Sequence, residues 1–245
     1  MPSHLKNIVI CRYFSLSGLL DLLGNSTLKF KKISLFEDKA EGIPQYTEII
    51  DSLKNSAKYV SPEYSCERKE NILKTIGNYY ASCWVMNDTE SYLMWKNYTN
   101  YYEGILLFST VEKLIDSLEI KSFETEDRNI LNWFFGEIDY GHKAKYDSEH
   151  MRAFSKTKYF EAEKEFRLVL YRHPASNEEA VSSKLLNTDF IVNIICAPGA
   201  SRHFYDLIRQ IVIDHSIGPD IVKESDIKQN SRVVLEDFLR TENHS

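Results

Sequence analysis

The sequence predicts an α+β fold: one domain in which a central mixed or antiparallel sheet is flanked by helices. Three observations point there. Short β-rich runs recur along the chain, and helical stretches separate them without a regular βαβ alternation. No internal repeat, low-complexity block or Pro/Gly/Ser-rich linker interrupts the 245 residues. Apolar residues make up 43% and charged residues 27%, with only nine Gly and six Pro, so the chain is able to bury a sizeable core. We expect one domain over residues 1–241 and a frayed tail over 242–245.

The elements follow in order. Ile8 to Phe14 is a β-rich run, ended by Ser15-Leu16-Ser17-Gly18, and a short helix from Leu19 to Leu23 closes on Gly24-Asn25 as a C-cap pair. Thr27 to Ile33 alternates as a second strand. Helices are expected over Pro44 to Lys58 and Pro62 to Asn78, each opening with Pro in its first turn, where the missing N–H costs nothing. Tyr79 to Val85 is the third strand. Asn87-Asp88-Thr89-Glu90 supplies capping chemistry for a helix holding Met94, Trp95 and Tyr98. Gly104 to Ser109 reads as a buried strand, Thr110 to Leu118 as a short helix, and Phe134 to Tyr140 and Glu165 to Tyr171 as strands. Asp147 to about Tyr159 reads as helix and Phe190 to Ala197 as the last strand. Ser201 to Asp214 is an amphipathic helix, with Phe204, Leu207, Ile208 and Ile211 at 3–4 spacing.

Charge and composition narrow the function. A net charge of −6 gives a phosphate backbone no overall attraction, so non-specific nucleic-acid binding is disfavoured. Lys29 and Lys31 alternate as on one face of a strand, the pattern of a charged edge that discourages sheet-to-sheet pairing. The four cysteines, Cys11, Cys66, Cys83 and Cys196, form no CxxC pair, and no secretory signal opens the chain; reduced thiols in a cytoplasmic protein are expected. No window approaches eighteen consecutive apolar residues, so no membrane span is expected. The seven His show no metal-ligand spacing, and no metal is predicted. GxGxxG, GxxxxGK[ST] and GxSxG are all absent.

Four clusters carry candidate chemistry. Arg12-Tyr13 ends an otherwise apolar strand, which suits a guanidinium gripping phosphate in a cleft or, equally, an edge Arg on a surface carboxylate. Phe36-Glu37-Asp38-Lys39-Ala40-Glu41 is an acidic knot, either loop structure or a pocket wall. Ser82-Cys83-Trp84 lies on the third strand, with Met94-Trp95-Lys96-Asn97-Tyr98 one short helix later; both Trp suit a core, whereas packing accounts less well for a mid-strand Ser. The fourth runs from Phe160 to Leu170. If a strand already includes residues 163–167, then Glu163, Glu165 and Arg167 line one face by period two, as a solvated edge or a site, and Phe166, Leu168 and Leu170 lie on the opposite, buried face.

In this order the clusters resemble the bacterial family catalogued as domain of unknown function 2971. Its members carry an "RYRS"-like strand, a "FNDPFE"-like loop, a "SCW…N…MWxxYa…G" segment and an "FxxExExR" strand. The matches here are Cys11 to Ser15, Phe36 to Glu41, Ser82-Cys83-Trp84 with Asn87, Met94 to Tyr98 and Gly104, and Phe160 with Glu163, Glu165 and Arg167, spanning about residues 8–200. Glu37 and Lys39 depart from the Asn and Pro of that loop. A second, looser resemblance is to the Arg–Ser–Glu arrangement of ADP-ribosyltransferases, through Arg12, Ser82 and Glu163-Lys164-Glu165; Ala81-Ser82-Cys83 stands where the usual Ser-Thr-Ser would be.

That resemblance implies an ADP-ribosyltransferase-like fold and an enzyme, toxin-like or antiphage-defensive, that cleaves the nicotinamide–ribose bond of NAD and passes ADP-ribose to a macromolecule or water. It implies roles as well. Glu165 stabilises the oxocarbenium-like ribose, and Glu163 orients or deprotonates the acceptor. Arg12 holds the pyrophosphate, Ser82 supports the nicotinamide end, and Tyr13 or Trp84 stacks on a ring, with Trp95 and Arg167 also counted among the cofactor-binding residues. The competing expectations are a non-catalytic nucleotide- or nucleic-acid-binding module built on the same residues, and an interaction protein in which the clusters are purely structural.

Overall fold

The computed structural model describes residues 4–37, 77–122, 130–141, 153–174 and 177–227. The expected helices over 44–58 and 62–78, Asp38 to Glu41 of the acidic knot, Cys66, and the tail over 242–245 lie outside these residues, apart from Gly77 and Asn78. The fold is α+β with a mixed sheet: the resolved registers are antiparallel except for one parallel pair. The chain divides into two compact units, each assembled from separate stretches of sequence.

The first unit comprises Met1–Thr27, Val85–Lys121 and Leu185–Ser245. Its strands are β1 (Val9–Ser15), β4 (Gly104–Thr110), β8 (Asn193–Cys196) and β9 (Val222–Glu224), hydrogen-bonded in the order β1-β4-β8-β9. β4 is buried along six of its seven residues, the burial of a strand covered on both faces. Its helices are α1 (Leu16–Gly24), α2 (Tyr92–Tyr98), α3 (Val111–Asp116) and α4 (Arg202–Asp214). Each opens on a hydroxyl cap: the side chains of Ser15, Ser91, Thr110 and Ser201 accept the backbone N–H of Gly18, Met94, Lys113 and Phe204. α4 buries Phe204, Ile208 and Val212, one residue per turn, while Leu207 is exposed.

The second unit comprises Leu28–Trp84 and Ser122–Lys184. It holds β2 (Thr27–Lys32, whose first residue belongs to the first unit), β3 (Tyr79–Val85, whose last residue belongs to the first unit), β5 (Ile130–Glu137), β6 (Glu165–Arg172) and β7 (Ala180–Lys184). β6 lies between β5 and β3, and β2 between β3 and β7. Ile33, Tyr79, Ala81, Ile138, Tyr140, Ala153, Phe154 and Val169 form its core on one sheet face, with Phe36, Cys83, Phe134, Phe160 and Tyr171 packed against it.

Several expectations are corrected. α1 begins at Leu16, because the Ser15 hydroxyl caps it directly as β1 ends. The turn after it uses a left-handed Ser26 (φ 49°), while Asn25 stays right-handed. β2 is not an edge: it has a strand on each side, so Lys29 and Lys31 are the exposed alternates of a paired strand. Ser91, and not the acidic run before it, caps α2. β5 starts four residues before Phe134 and stops at Glu137. The described part of the helix expected over 147–159 is not α-helical; Ser155 bridges to Asp139 and a 3₁₀ turn spans Lys158–Glu163. β8 is only four residues long, and β7 and β9 were not anticipated.

Candidate functional site

The second unit gathers the ionisable residues of the ExExR segment, though by a different route from simple alternation. Glu163 is not in a strand: it ends the 3₁₀ turn, and Lys164 at φ 44°, ψ 53° turns the chain before β6 starts at Glu165. The left-handed residue breaks the period-two relation between the two carboxylates. A lysine restores their proximity. Lys156 Nζ donates to Glu163 Oε2 at 2.6 Å and to Glu165 Oε2 at 3.3 Å.

Glu165 and Arg167 share a face of β6 as expected, but that face is covered. Glu165 is 4% exposed and Arg167 is completely buried, as are Phe166, Leu168 and Leu170 on the other face. Arg167 Nε and Nη2 donate to Glu165 Oε1 and Oε2 at 2.5 and 3.0 Å, a two-point ion pair, and its Nη1 donates to the Ala153 carbonyl at 2.9 Å. Its guanidinium also lies 5.3 Å from the ring centroid of Phe36. The Glu165 N–H donates to Tyr140 Oη at 2.6 Å. Burial alone would raise the Glu165 carboxyl; the Arg167 guanidinium, the Lys156 ammonium and a hydrogen bond from Cys83 together hold it below the ordinary carboxylate value. Burial pushes the Tyr140 hydroxyl up to about 12, with the bond from Glu165 N–H acting the other way.

The group of β3 that reaches Glu165 is therefore the Cys83 thiol and not the Ser82 hydroxyl. Alternation along β3 puts Tyr79, Ala81 and Cys83 on the face of the core that holds Val169 and Tyr171, and Ser82 and Trp84 on the other. Ser82 is wholly buried there, and its Oγ accepts the indole Nε1–H of Trp84 at 3.2 Å. This bond answers why a serine sits in mid-strand beside a tryptophan: a buried indole N–H needs an acceptor. Trp84 itself is 1% exposed, with no ring face presented to solvent.

In the first unit, Arg12 and Tyr13 are both half-buried, and as consecutive residues of β1 they point to opposite faces. Arg12 stands opposite Leu107 of β4 with its guanidinium 5.0 Å from the Phe14 ring centroid, whereas Tyr13 stands opposite Leu106. One ligand on one face of β1 cannot be gripped by Arg12 and stacked on Tyr13 together. Tyr13 meets Trp95 edge-on, ring centroids 5.0 Å apart at 88°, in a cluster with Cys11, Leu106, Phe108 and Ala197. Its hydroxyl accepts the Ser91 N–H at 3.0 Å, and burial raises its pKa. Trp95 is wholly buried, with its indole N–H on Glu90 Oε2 at 2.9 Å. Glu90 also accepts the Ser225 hydroxyl and the Asp226 N–H, each at 2.7 Å. The acidic run before α2 thus ties a distant part of the same unit to Trp95.

No protein-family model matches the chain, and no curated protein does. Among solved structures, DarT of Thermus sp. 2.9, in complex with ADP-ribosylated ssDNA, aligns with a TM-score of 0.38 and 11% identity over 91% of this chain and 95% of that one.

Sequence reasoning missed Lys156, Tyr140, Cys83 and Glu90. Cys83 was open to discovery, because strand parity separates it from Ser82 and only one of the two can share a face with a given neighbour. Lys156 carried no local signal: it lies seven residues before Glu163, and only the turn at Lys164 brings the two carboxylates to it. Among the described residues, no group of three or more His, Cys, Asp or Glu side chains is placed to hold a metal ion, and no helix is long and apolar enough to cross a membrane.

Proposed function

We propose that this protein is an ADP-ribosyltransferase-like enzyme that cleaves the nicotinamide–ribose bond of NAD and passes ADP-ribose to a macromolecule or to water, in a bacterial toxin or antiphage-defence setting. The observation that carries the reading is the pair of carboxylates, Glu163 and Glu165, drawn to one ammonium at 2.6 and 3.3 Å. The likeness of the ExE pair to that of ADP-ribosyltransferases supports it. Both carboxylates and Lys156 lie in the second unit.

The chemistry asks for few groups. The C1′–N bond breaks and its electron pair leaves with the ring, so the cationic nicotinamide departs neutral and positive charge builds on the ribose. A fixed carboxylate offsets that charge more strongly than water does, because it needs no reorganisation as the charge develops. The acceptor's lone pair then closes on C1′, and the acceptor proton passes to a carboxylate and on to solvent. Metal-free positioning and electrostatics suffice for each of these steps, since NAD carries its own leaving group.

The test is incubation with NAD and cell lysate, following free nicotinamide for the wild type and for Glu163→Gln/Glu165→Gln, with a thermal melt of both. Release by the wild type that the folded double variant abolishes supports the enzyme. A folded wild type that releases nothing refutes it and leaves the non-catalytic nucleotide-binding module, a reading that the engagement of Glu165 by internal donors would then explain.

A further inference from the structure

Glu163 and Glu165 reach the same ammonium and differ in most other respects. Four donors meet Glu165: Arg167 Nε at 2.5 Å, Arg167 Nη2 at 3.0 Å, Lys156 Nζ at 3.3 Å and the Cys83 thiol. An ionised carboxyl offers about four acceptor positions. Glu165 therefore has none left for a ribose hydroxyl unless one of these donors is given up. Giving up Arg167 would strand a guanidinium that is completely buried.

Glu163 stands outside the strand, and its side chain is 16% exposed against 5% for Glu165. Its bond to Lys156 is the shorter of the two. Lys156 is itself fixed from several sides. Its backbone N–H donates to the Asp139 carbonyl at 3.1 Å, and its ammonium lies 4.5 Å from the Phe160 ring centroid as well as on the two carboxylates. The lysine side chain is 9% exposed, so solvent screens its hold on Glu163 only weakly.

We infer that Glu163, held by Lys156, is the carboxylate that touches the ribose and the acceptor, and that Glu165 with Arg167 forms the buried support that fixes Lys156. This rests on the reaction proposed above and names the residue that performs it. As the C1′–N electron pair leaves with nicotinamide, Glu163 faces the growing charge on the ribose. As the acceptor closes on C1′, Glu163 takes its proton and releases it to solvent. Lys156 is a positioning residue: it keeps two like charges together and sets the direction of the outer one. The roles of the two glutamates are thus the reverse of those the ADP-ribosyltransferase resemblance implies.

The experiment measures kcat and KM for nicotinamide release by the wild type, Glu163→Gln, Lys156→Met, Lys156→Arg and Glu165→Gln, with thermal melts alongside. Glu163→Gln is expected to melt near the wild type and to lower kcat by about 10²–10⁴-fold, with KM within about threefold. Lys156→Met is expected to lower kcat by about tenfold or more, and Lys156→Arg to restore most of the loss, which a purely structural lysine would not require. Glu165→Gln is expected to lower the melting temperature first. A folded Glu163→Gln enzyme with kcat within about threefold of the wild type overturns the assignment. Wild-type kcat in Lys156→Met overturns the positioning role. A wild type that releases no nicotinamide brings down the reaction itself, and this role with it, before any variant is compared.

Discussion

Replacing Arg167 with methionine keeps much of the side chain's apolar volume and removes its charge. Among the described residues, three donations disappear: Nε and Nη2 to Glu165 at 2.5 and 3.0 Å, and Nη1 to the Ala153 carbonyl at 2.9 Å. Charge-assisted hydrogen bonds contribute about 1.5–3 kcal/mol each in net terms, but they are not additive here, because the decisive effect is what remains. Glu165, 4% exposed, would keep Lys156 as its ammonium partner and lose its two-point guanidinium partner. Breaking a buried ion pair from one side costs about 3–5 kcal/mol, and uptake of a proton by Glu165 is the escape that keeps the loss from growing further. Removing both partners is a different perturbation. Arg167→Met/Glu165→Met leaves no stranded charge on β6, and apolar replacements of whole buried pairs are often neutral or better. Urea unfolding at pH 7 should therefore show the single variant losing about 3–5 kcal/mol and the double variant losing clearly less, with a coupling energy of about 2 kcal/mol or more. A single-variant loss below about 1 kcal/mol, or a double variant as unstable as the single one, would refute the claim that this pair is a closed buried unit.

Two further outcomes follow from the same contacts. Glu165 is held below its ordinary value of 4.5, so its stabilising contribution is fully present above that pH and is lost as the pH falls through the lower, folded-state value. The wild type should then lose stability on acidification below about pH 4.5 more steeply than Arg167→Met/Glu165→Met, and parallel acid-denaturation curves would contradict the pairing. Ser82→Ala removes the oxygen that accepts the buried Trp84 indole N–H at 3.2 Å; a loss of about 1 kcal/mol is expected in urea unfolding, and an unchanged midpoint would mean that Ser82 is not what satisfies Trp84.

The sequence made the strand cores legible and the turns less so. β1, β3, β4 and β6 fall within one or two residues of their expected spans, because each is a run of β-branched, aromatic and long apolar residues that only a covered sheet accommodates. The starts of α3 and α4 were equally plain, and Thr110 and Ser201, where the two helices were expected to begin, cap them. β7 and β9 were not, since Ala-Val-Ser-Ser-Lys and Val-Lys-Glu have no pattern long enough to rise above a loop, and their strand state comes from the neighbours they pair with. At the candidate site, the residues of the ExExR segment were legible and their relation was not. A strand template places Glu163 and Glu165 together by alternation; the chain instead turns at a left-handed Lys164, a conformation that a lysine does not announce. Ser82 shows the opposite error, a polar residue read as functional because its packing partner two residues on had not been counted as a donor.

The buried charges also explain one another. Among the described residues, Glu163 and Glu165 supply two negative charges, Lys156 and Arg167 two positive ones, and the ion pairs among the four run from one end of the set to the other. Such a set is tolerable in a poorly solvated place only when it is neutral and each member is hydrogen-bonded. Within it the charges are not equivalent. Arg167 is completely buried and Glu163 is the most exposed of the four, so the set grades from a closed interior pair to an outer pair at its surface. A ribose gathering positive charge at the outer end would meet Glu163 with Lys156 still holding it, and the inner pair need not open. An arrangement built for stability alone has no need of the outer pair, because Arg167 already neutralises Glu165. Lys156 and Glu163 add a second pair at the cost of ordering a lysine, and that pair, the more exposed of the two, is the reason to look for chemistry at Glu163.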